Sequence, residues 1–278
     1  MNSSPWFKDP KRSMVIFTDL DGSLLDHNTY SYHKAQTALD KVKELNIPLI
    51  PVSSKTCAEI EQLFGQLHFI HPIIAENGAV IKIPPHYFID SSSNEAVIHI
   101  GKNYDEIKKN LQTLKTRFAF RGFHQMSIDE VVSLTGLSSV DAARAQNREG
   151  SEPVLWEDSD DQLELFKNEI SQRELSLTQG GRFLHIMGNN SKGQAIHTLL
   201  EIYKQHGFIP KLTLGLGDSE NDVSMLREVD CPCVIKKPDG SHIQANLPNN
   251  VVRTKNIGPA GWNEFVMSVL GKQDVKNE

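Results

Sequence analysis

Two carboxylates separated by one leucine, Asp19 and Asp21, close the apolar run Val15-Ile16-Phe17-Thr18 and are followed by Gly22-Ser23. Side chains alternate in direction along an extended strand, so Asp19 and Asp21 leave the same side of its end, and Gly22 allows a tight turn around whatever lies there. Two acids on one side repel each other unless a cation or a shared proton intervenes. A divalent metal with a phosphoryl group would answer that repulsion and give both acids a role. Asp-Leu-Asp-Gly alone also suits a surface turn, but three further segments accompany it. Pro48-Leu49-Ile50-Pro51-Val52-Ser53-Ser54-Lys55 is an apolar run ending in hydroxyls and a cation. Lys192-Gly193 opens an amphipathic segment, and Leu212-Thr213-Leu214-Gly215-Leu216-Gly217-Asp218-Ser219-Glu220-Asn221-Asp222 runs from apolar residues into acids and an amide. Nucleophile, oxygen-binding donors, neutralising charge and a proton for the leaving alkoxide are the parts that hydrolysis of a phosphate ester needs.

These residues require elements to hold them. From Met14 to about Val80, short apolar runs alternate with amphipathic segments, which predicts strands over 15–18, 48–53 and 73–76 and helices over 31–45 and 57–67. The rhythm returns with a helix over 192–205, a strand over 212–216, a helix over 222–228 and a strand over 233–235. Such alternation predicts a parallel sheet covered on both faces, with ligands beyond the carboxyl ends of its strands, where three of the four segments fall. Between Pro84-Pro85 and Gly180-Gly181-Arg182 the pattern changes, with strand candidates over 117–121 and 153–156 among helix candidates over 104–114, 127–134, 140–146 and 162–174. The expected fold class is therefore α/β, a Rossmann-like parallel-sheet core over residues 1–83 and 188–278 with an inserted α+β domain over 84–187. The polar end, 274–278, reads as a disordered tail.

A chain of 278 residues is long for one core. Its net charge of -6 gives no reason to expect nucleic acid or an anionic membrane as partner, so a phosphorylated ligand must be attracted locally. The opening residues lack the apolar core of a signal peptide and no later stretch would span a bilayer, so the expected address is the cytoplasm. Cys57, Cys231 and Cys233 have no zinc spacing and read as reduced thiols.

In order and residue type the four segments resemble the motifs of the haloacid dehalogenase-like hydrolase superfamily. The resemblance implies that Asp19 is a nucleophile forming an aspartyl phosphate. It makes Asp21 the general acid, which later takes a proton from water. It also implies Mg²⁺ held by Asp19, the main-chain carbonyl of Asp21 and Asp218, with Asp222 behind through water. The insert would be a cap that closes over the active site. The residues themselves suggest the phosphate cradle: backbone N–H groups of Leu20, Asp21 and Gly22 as an anion nest, the Ser53 hydroxyl at a strand end, and Asn221 beside the nucleophile. Lys192 stands at a helix start, a poor place for a cation on dipole grounds, which an anion nearby would explain.

Ser53-Ser54-Lys55-Thr56, Ala75-Glu76-Asn77-Gly78-Ala79, Ser151-Glu152-Pro153 and Gly180-Gly181-Arg182-Phe183-Leu184-His185 narrow the likeness to the mannosyl-3-phosphoglycerate phosphatase branch. That branch hydrolyses 2-O-mannosyl-3-phosphoglycerate to the compatible solute mannosylglycerate. The glucosyl epimer or another sugar phosphate is the alternative substrate, and a phosphomutase or a non-catalytic sensor is further off. A small phosphorylated sugar-glycerate is thus the expected partner of a monomer or homodimer. Arg182, beside two glycines, is placed on its carboxylate or phosphate, with Lys55, Glu76, Asn77, Arg148, Ser151 and Glu152 as further substrate candidates. His185, within an apolar run, reads as a packed core histidine.

Overall fold

The computed structural model describes residues 14–88, 94–180 and 183–274. Its centre is a five-stranded parallel sheet. The strands lie in the order β12 (Val252–Ile257), β11 (Cys231–Lys236), β10 (Leu212–Gly217), β1 (Met14–Thr18) and β2 (Leu49–Pro51). Every residue of β1 is buried, and alternation divides them between two layers. Met14 and Ile16 pack with α1 (Gln36–Glu44), α2 (Cys57–Gln66) and α9 (Gly258–Asp274). Val15 and Phe17 pack on the other face with α7 (Lys192–Gln205) and α8 (Val223–Glu228). A continuous apolar run is what a strand covered on both faces requires.

Expected elements and observed ones differ where local chemistry intervenes. The helix expected from residue 31 begins at Gln36, because residues 33–35 form a 3-10 turn first. The strand expected over 117–121 begins only at Phe120, since Arg117 and Phe118 still donate to Leu114 O and continue the preceding turn. A three-stranded antiparallel sheet, β3 (Ile73–Ala75), β4 (Val80–Ile83) and β5 (Ala96–His99), adjoins the core through a bridge between Val52 and Ile74. Strand β5 pairs with β4 although it lies beyond Pro84. Neither β5 nor β12 is written in apolar alternation: both are largely exposed.

A four-stranded antiparallel sheet forms the inserted α+β unit, ordered β6 (Phe120–Gly122), β7 (Ser151–Trp156), β9 (Phe183–Gly188) and β8 (Leu175–Gly180). One face carries α3 (Tyr104–Leu114) and α6 (Asp160–Gln172), whose Ile107, Leu111, Phe166 and Ile170 meet Val154, Leu184 and Ile186 of the strands. The helices α4 (Ile128–Thr135) and α5 (Ser139–Gln146) make a smaller cluster with Phe123 and Met126. Capping boxes start α2, α3 and α4, Thr56 with Glu59, Asn103 with Glu106 and Ser127 with Glu130. Cys57 and Cys233 are buried, Cys231 is half-buried, and all are free thiols. No helix among the described residues is long and apolar enough to cross a membrane.

Gly101, just after β5, and Gly188, at the end of β9, lie back to back. A Cβ at Gly188 would stand 2.5 Å from Lys102 N and 3.1 Å from Gly101 Cα, closer than packed backbones tolerate. Gly188→Ala is expected to lower unfolding stability by about 1–3 kcal/mol through overpacking of this contact. An unchanged urea midpoint would show that the two glycines are not in tight contact.

Candidate active site

The Asp19 side chain emerges where β1 ends, and two contacts fix that point. Its amide donates to Leu216 O at 2.8 Å, tying it to β10. Thr18 Oγ1 donates to Asp19 O at 2.7 Å and accepts from the buried Trp262 Nε1 at 2.9 Å, so a residue of the last helix supports the turn. Lys192, at the first turn of α7, places its Nζ 2.6 Å from Asp19 Oδ1 and 2.6 Å from Asp222 Oδ1. The other Asp222 oxygen accepts from the amides of Asp218 and Ser219, both at 3.0 Å, and shapes the turn after β10. Ser23 Oγ donates to Asp218 Oδ1 at 3.4 Å.

Carboxylate oxygens of Asp19, Asp218 and Asp222 lie within 4.8 Å of one another, and all three residues are buried. Burial, followed by the Asp222 charge, pushes the Asp19 carboxyl well above the usual carboxylate range, against the pull of Lys192. Burial and then Asp222 push Asp218 up to about 6. Burial also opposes the Lys192 charge, yet Asp19 and Asp222 hold its pKa above the ordinary lysine value. Three buried acids with one ammonium have a deficit of positive charge, and a hard oxygen-seeking cation fits that donor set. The backbone adds a cradle: Gly22 has φ +83°, and a Cβ there would stand 2.6 Å from Asp218 Oδ2. Glycine is therefore required both by conformation and by space.

Above this cluster lies a cavity of about 680 Å³ lined by Asp19, Asp21, Asn77, Asp218 and Asn221 of the core and by Thr178 and His185 of the insert. Asn221 Nδ2 donates to Asn77 Oδ1 at 2.9 Å, joining the ends of β10 and β3. Lys55 pairs with Asp21 Oδ2 at 2.9 Å, and its ammonium lies 5.2 Å from the Tyr30 ring centroid. Burial opposes the Lys55 charge, but Asp21 and Glu59 raise its pKa. Ser53 is buried, its Oγ accepting from Lys55 N at 3.2 Å, and it is Ser54 that reaches the cavity wall.

Several expectations are corrected. The amide of Gly22 is not free for an anion, because it donates to Leu25 O at 2.9 Å as the loop closes on itself. Only the amides of Leu20 and Asp21 remain of the nest read from sequence. Glu76, Arg148, Ser151 and Glu152 are not in the cavity wall. Glu76 is wholly buried and accepts from Glu149 N at 2.8 Å, Gly150 N at 3.2 Å and Ser151 Oγ at 2.6 Å, binding the core to the insert. Arg148 donates to Ser151 Oγ at 2.9 Å and lies 3.8 Å from Glu76. Glu152 is taken up inside the insert by Tyr104 and His124, each at 2.6 Å. His185 is not packed in a core; it faces the cavity. Arg182 lies outside the described residues.

Sequence reading also passed over His27, Tyr30, Ser54, Thr178 and Lys237, which line the same cavity. For Lys237 a signal existed, since it follows the carboxyl end of a parallel strand like the other site residues. For Thr178 none did, because only tertiary closure brings β8 over the core. Glu76→Ala should destabilise the protein by about 3–5 kcal/mol, since it strips a buried Arg and buried donors of their acceptor. Denaturant unfolding measures this, and a loss below about 1 kcal/mol, the scale of an ordinary surface pair, would remove Glu76 as the core–insert junction.

Comparison with known proteins gives the family and the fold. The family model for haloacid dehalogenase-like hydrolases matches residues 16–245. A glucosyl-3-phosphoglycerate/mannosyl-3-phosphoglycerate phosphatase of Methanococcoides burtonii is 40% identical over 268 residues, covering 94% of this chain and 98% of that protein. A protein of the same name from Persephonella marina is 38% identical over 267 residues, covering 93% and 98%. Among solved structures, a Thermoplasma acidophilum protein superimposes with a TM-score of 0.65 at 16% identity, over 92% of this chain and 97% of its own, which speaks for the fold alone.

Proposed function

Because this chain belongs to the haloacid dehalogenase-like hydrolase family and is a phosphoric monoester hydrolase, we propose that it hydrolyses 2-O-mannosyl-3-phosphoglycerate to mannosylglycerate and phosphate, with the glucosyl epimer as a second substrate. The observation that carries this reading is the Lys192 bridge between Asp19 and Asp222, set beside Asp218 on the floor of a cavity wide enough for a glycosyl glycerate. The names of the two relatives, which include both sugars, support the choice of substrate.

In the proposed reaction an Asp19 carboxylate oxygen attacks phosphorus and the bond from phosphorus to the glycerate oxygen breaks. Asp21 gives its proton to that departing oxygen. Asp21 then accepts a proton from a water molecule whose oxygen attacks the aspartyl phosphate, which restores the Asp19 carboxylate and releases inorganic phosphate. Lys192 neutralises Asp19 and keeps its carboxylate oriented. The Leu20 and Asp21 amides, with the hydroxyls at Ser53 and Ser54, donate to the phosphoryl oxygens. Asp19, Asp218 and the Asp21 carbonyl would hold Mg²⁺, with Asp222 behind them, and the ion supplies charge neutralisation between carboxylate and phosphate. Arg182 keeps the role assigned from sequence, on the glycerate carboxylate or the phosphate. The pairing of β5 with β4 supports moving the cap's first boundary from residue 84 to Gly101, with Gly188 as the second.

A phosphate-release screen over both glycosyl-phosphoglycerates and common sugar phosphates, with Mg²⁺ or with EDTA, tests the reading. Turnover is expected on the two glycosyl-phosphoglycerates, abolished by EDTA and absent in Asp19→Asn, where an amide replaces the nucleophile. The loss should be at least about 10³-fold, and a tenth of wild-type release would exclude Asp19 as nucleophile. Asp21→Asn should slow single-turnover phosphorylation by glycosyl substrates about 10²–10⁴-fold, and by an activated aryl phosphate far less, because that leaving group departs without a proton. Equal losses on both would assign Asp21 to another role.

A further inference from the structure

The roof of the cavity is formed by one cross-strand pair of the insert sheet. Thr178 on β8 lies directly opposite His185 on β9, and both side chains line the cavity that holds Asp19, Asp21 and Asp218. Alternation explains their direction. Leu177, Leu184 and Ile186 go to the cluster beneath α3 and α6, so Thr178 and His185 project from the opposite face. Residues paired this way stand side by side, with Cβ atoms about 4.5–5.5 Å apart.

Thr178 Oγ1 and His185 Nδ1 are shielded from solvent and have no hydrogen-bond partner among the described residues. A buried polar atom without a partner costs about 1–3 kcal/mol, and native interiors rarely keep one, let alone a neighbouring pair. Both residues are half-buried and line the cavity, so a group bound there is the partner within reach of their side chains. Burial, with Arg148 adding to it, pushes the His185 imidazole down to about 3, so the ring is neutral at physiological pH and offers one donor and one acceptor. Neither group suits a second anion. Among the described residues the lysine in the cavity wall, Lys237, belongs to the core.

We propose that Thr178 and His185 are specificity-determining residues that hydrogen-bond neighbouring hydroxyls of the substrate's sugar ring. The inference rests on the sugar-phosphate reading above and adds to it which part of the molecule lies under the insert. Mannosyl and glucosyl substrates differ in the orientation of one hydroxyl, so a paired hydroxyl reader is also where the two are told apart.

The test uses the full-length protein with Mg²⁺ and measures phosphate release from mannosyl- and glucosyl-3-phosphoglycerate and from p-nitrophenyl phosphate, which has no ring hydroxyls. Thr178→Val and His185→Phe should each raise KM for the glycosyl substrates by about three- to thirtyfold and change the mannosyl-to-glucosyl ratio, with kcat little altered. Aryl phosphate hydrolysis should stay within about twofold, as for a site that binds only the sugar. Thr178→Ser and His185→Asn, which keep a polar atom in place, should restore most of the loss and guard against a folding defect. Unchanged KM for the glycosyl substrates, or equal losses on aryl phosphate, overturns the proposal. If the wild type turns over neither glycosyl-phosphoglycerate, the substrate reading fails by itself, and the pair is judged on the sugar phosphate hydrolysed fastest. A best substrate without ring hydroxyls overturns the pair too.

Discussion

The buried ammonium of Lys192 is the contact on which the site depends. Asp19 and Asp222 each approach it to 2.6 Å in a pocket from which solvent is excluded. Leaving a carboxylate there without a partner would cost several kcal/mol, whereas a lysine at a helix N-terminus offends the dipole by about 0.3–1 kcal/mol. Pairing of the buried charges outweighs the dipole, and the cation occupies the first turn of α7. Ser191, which accepts from Gln194 N, caps the helix so that it can begin there. Asp222 in turn fixes the loop that carries Asp218. One ion cluster thus orients the end of β1, the end of β10 and the start of α7 together, and its remaining negative charge is what calls for a divalent cation.

A second constraint couples the insert to this cluster. Glu76 and Asn77 both adopt positive φ, 51° and 56°, conformations that cost about 1–3 kcal/mol each outside glycine. The strain persists because each residue is held. The Glu76 carboxylate collects two amides and a hydroxyl from residues 149–151. The Asn77 side chain meets Asn221, and its carbonyl accepts from Asn190 Nδ2 at 3.2 Å. Of the two strained residues, Glu76 is thus held by the insert and Asn77 by residues beside the site.

The parallel-sheet core and the cluster of acids around Lys192 were legible because their signals are local. Apolar runs buried on both faces mark parallel strands, acids at the strand ends mark a site, and Lys192 betrays itself by sitting where a lysine is locally disfavoured. The roles of the insert's polar residues were not legible in the same way. Glu76, Arg148 and Ser151 are the kind of residues that bind a charged ligand, but here they bind one another, and no spacing in the chain distinguishes the two uses. His185 sits among apolar neighbours because one face of β9 is core; its own face became a cavity wall only when the sheet was laid over the end of β1.

Local chemistry along the chain was enough to define the α/β layering, the order of the four motifs and the acid-lysine set, since each depends on periodicity or on residue type within a few positions. Packing between distant segments settled the rest. It closed the Gly22 amide onto Leu25, turned Glu76 from a ligand candidate into a junction, brought Trp262 under Thr18 and set Thr178 above Asp19. These contacts join residues far apart in the chain or compete for the same donor, and only the assembled geometry says which partner each polar atom finds.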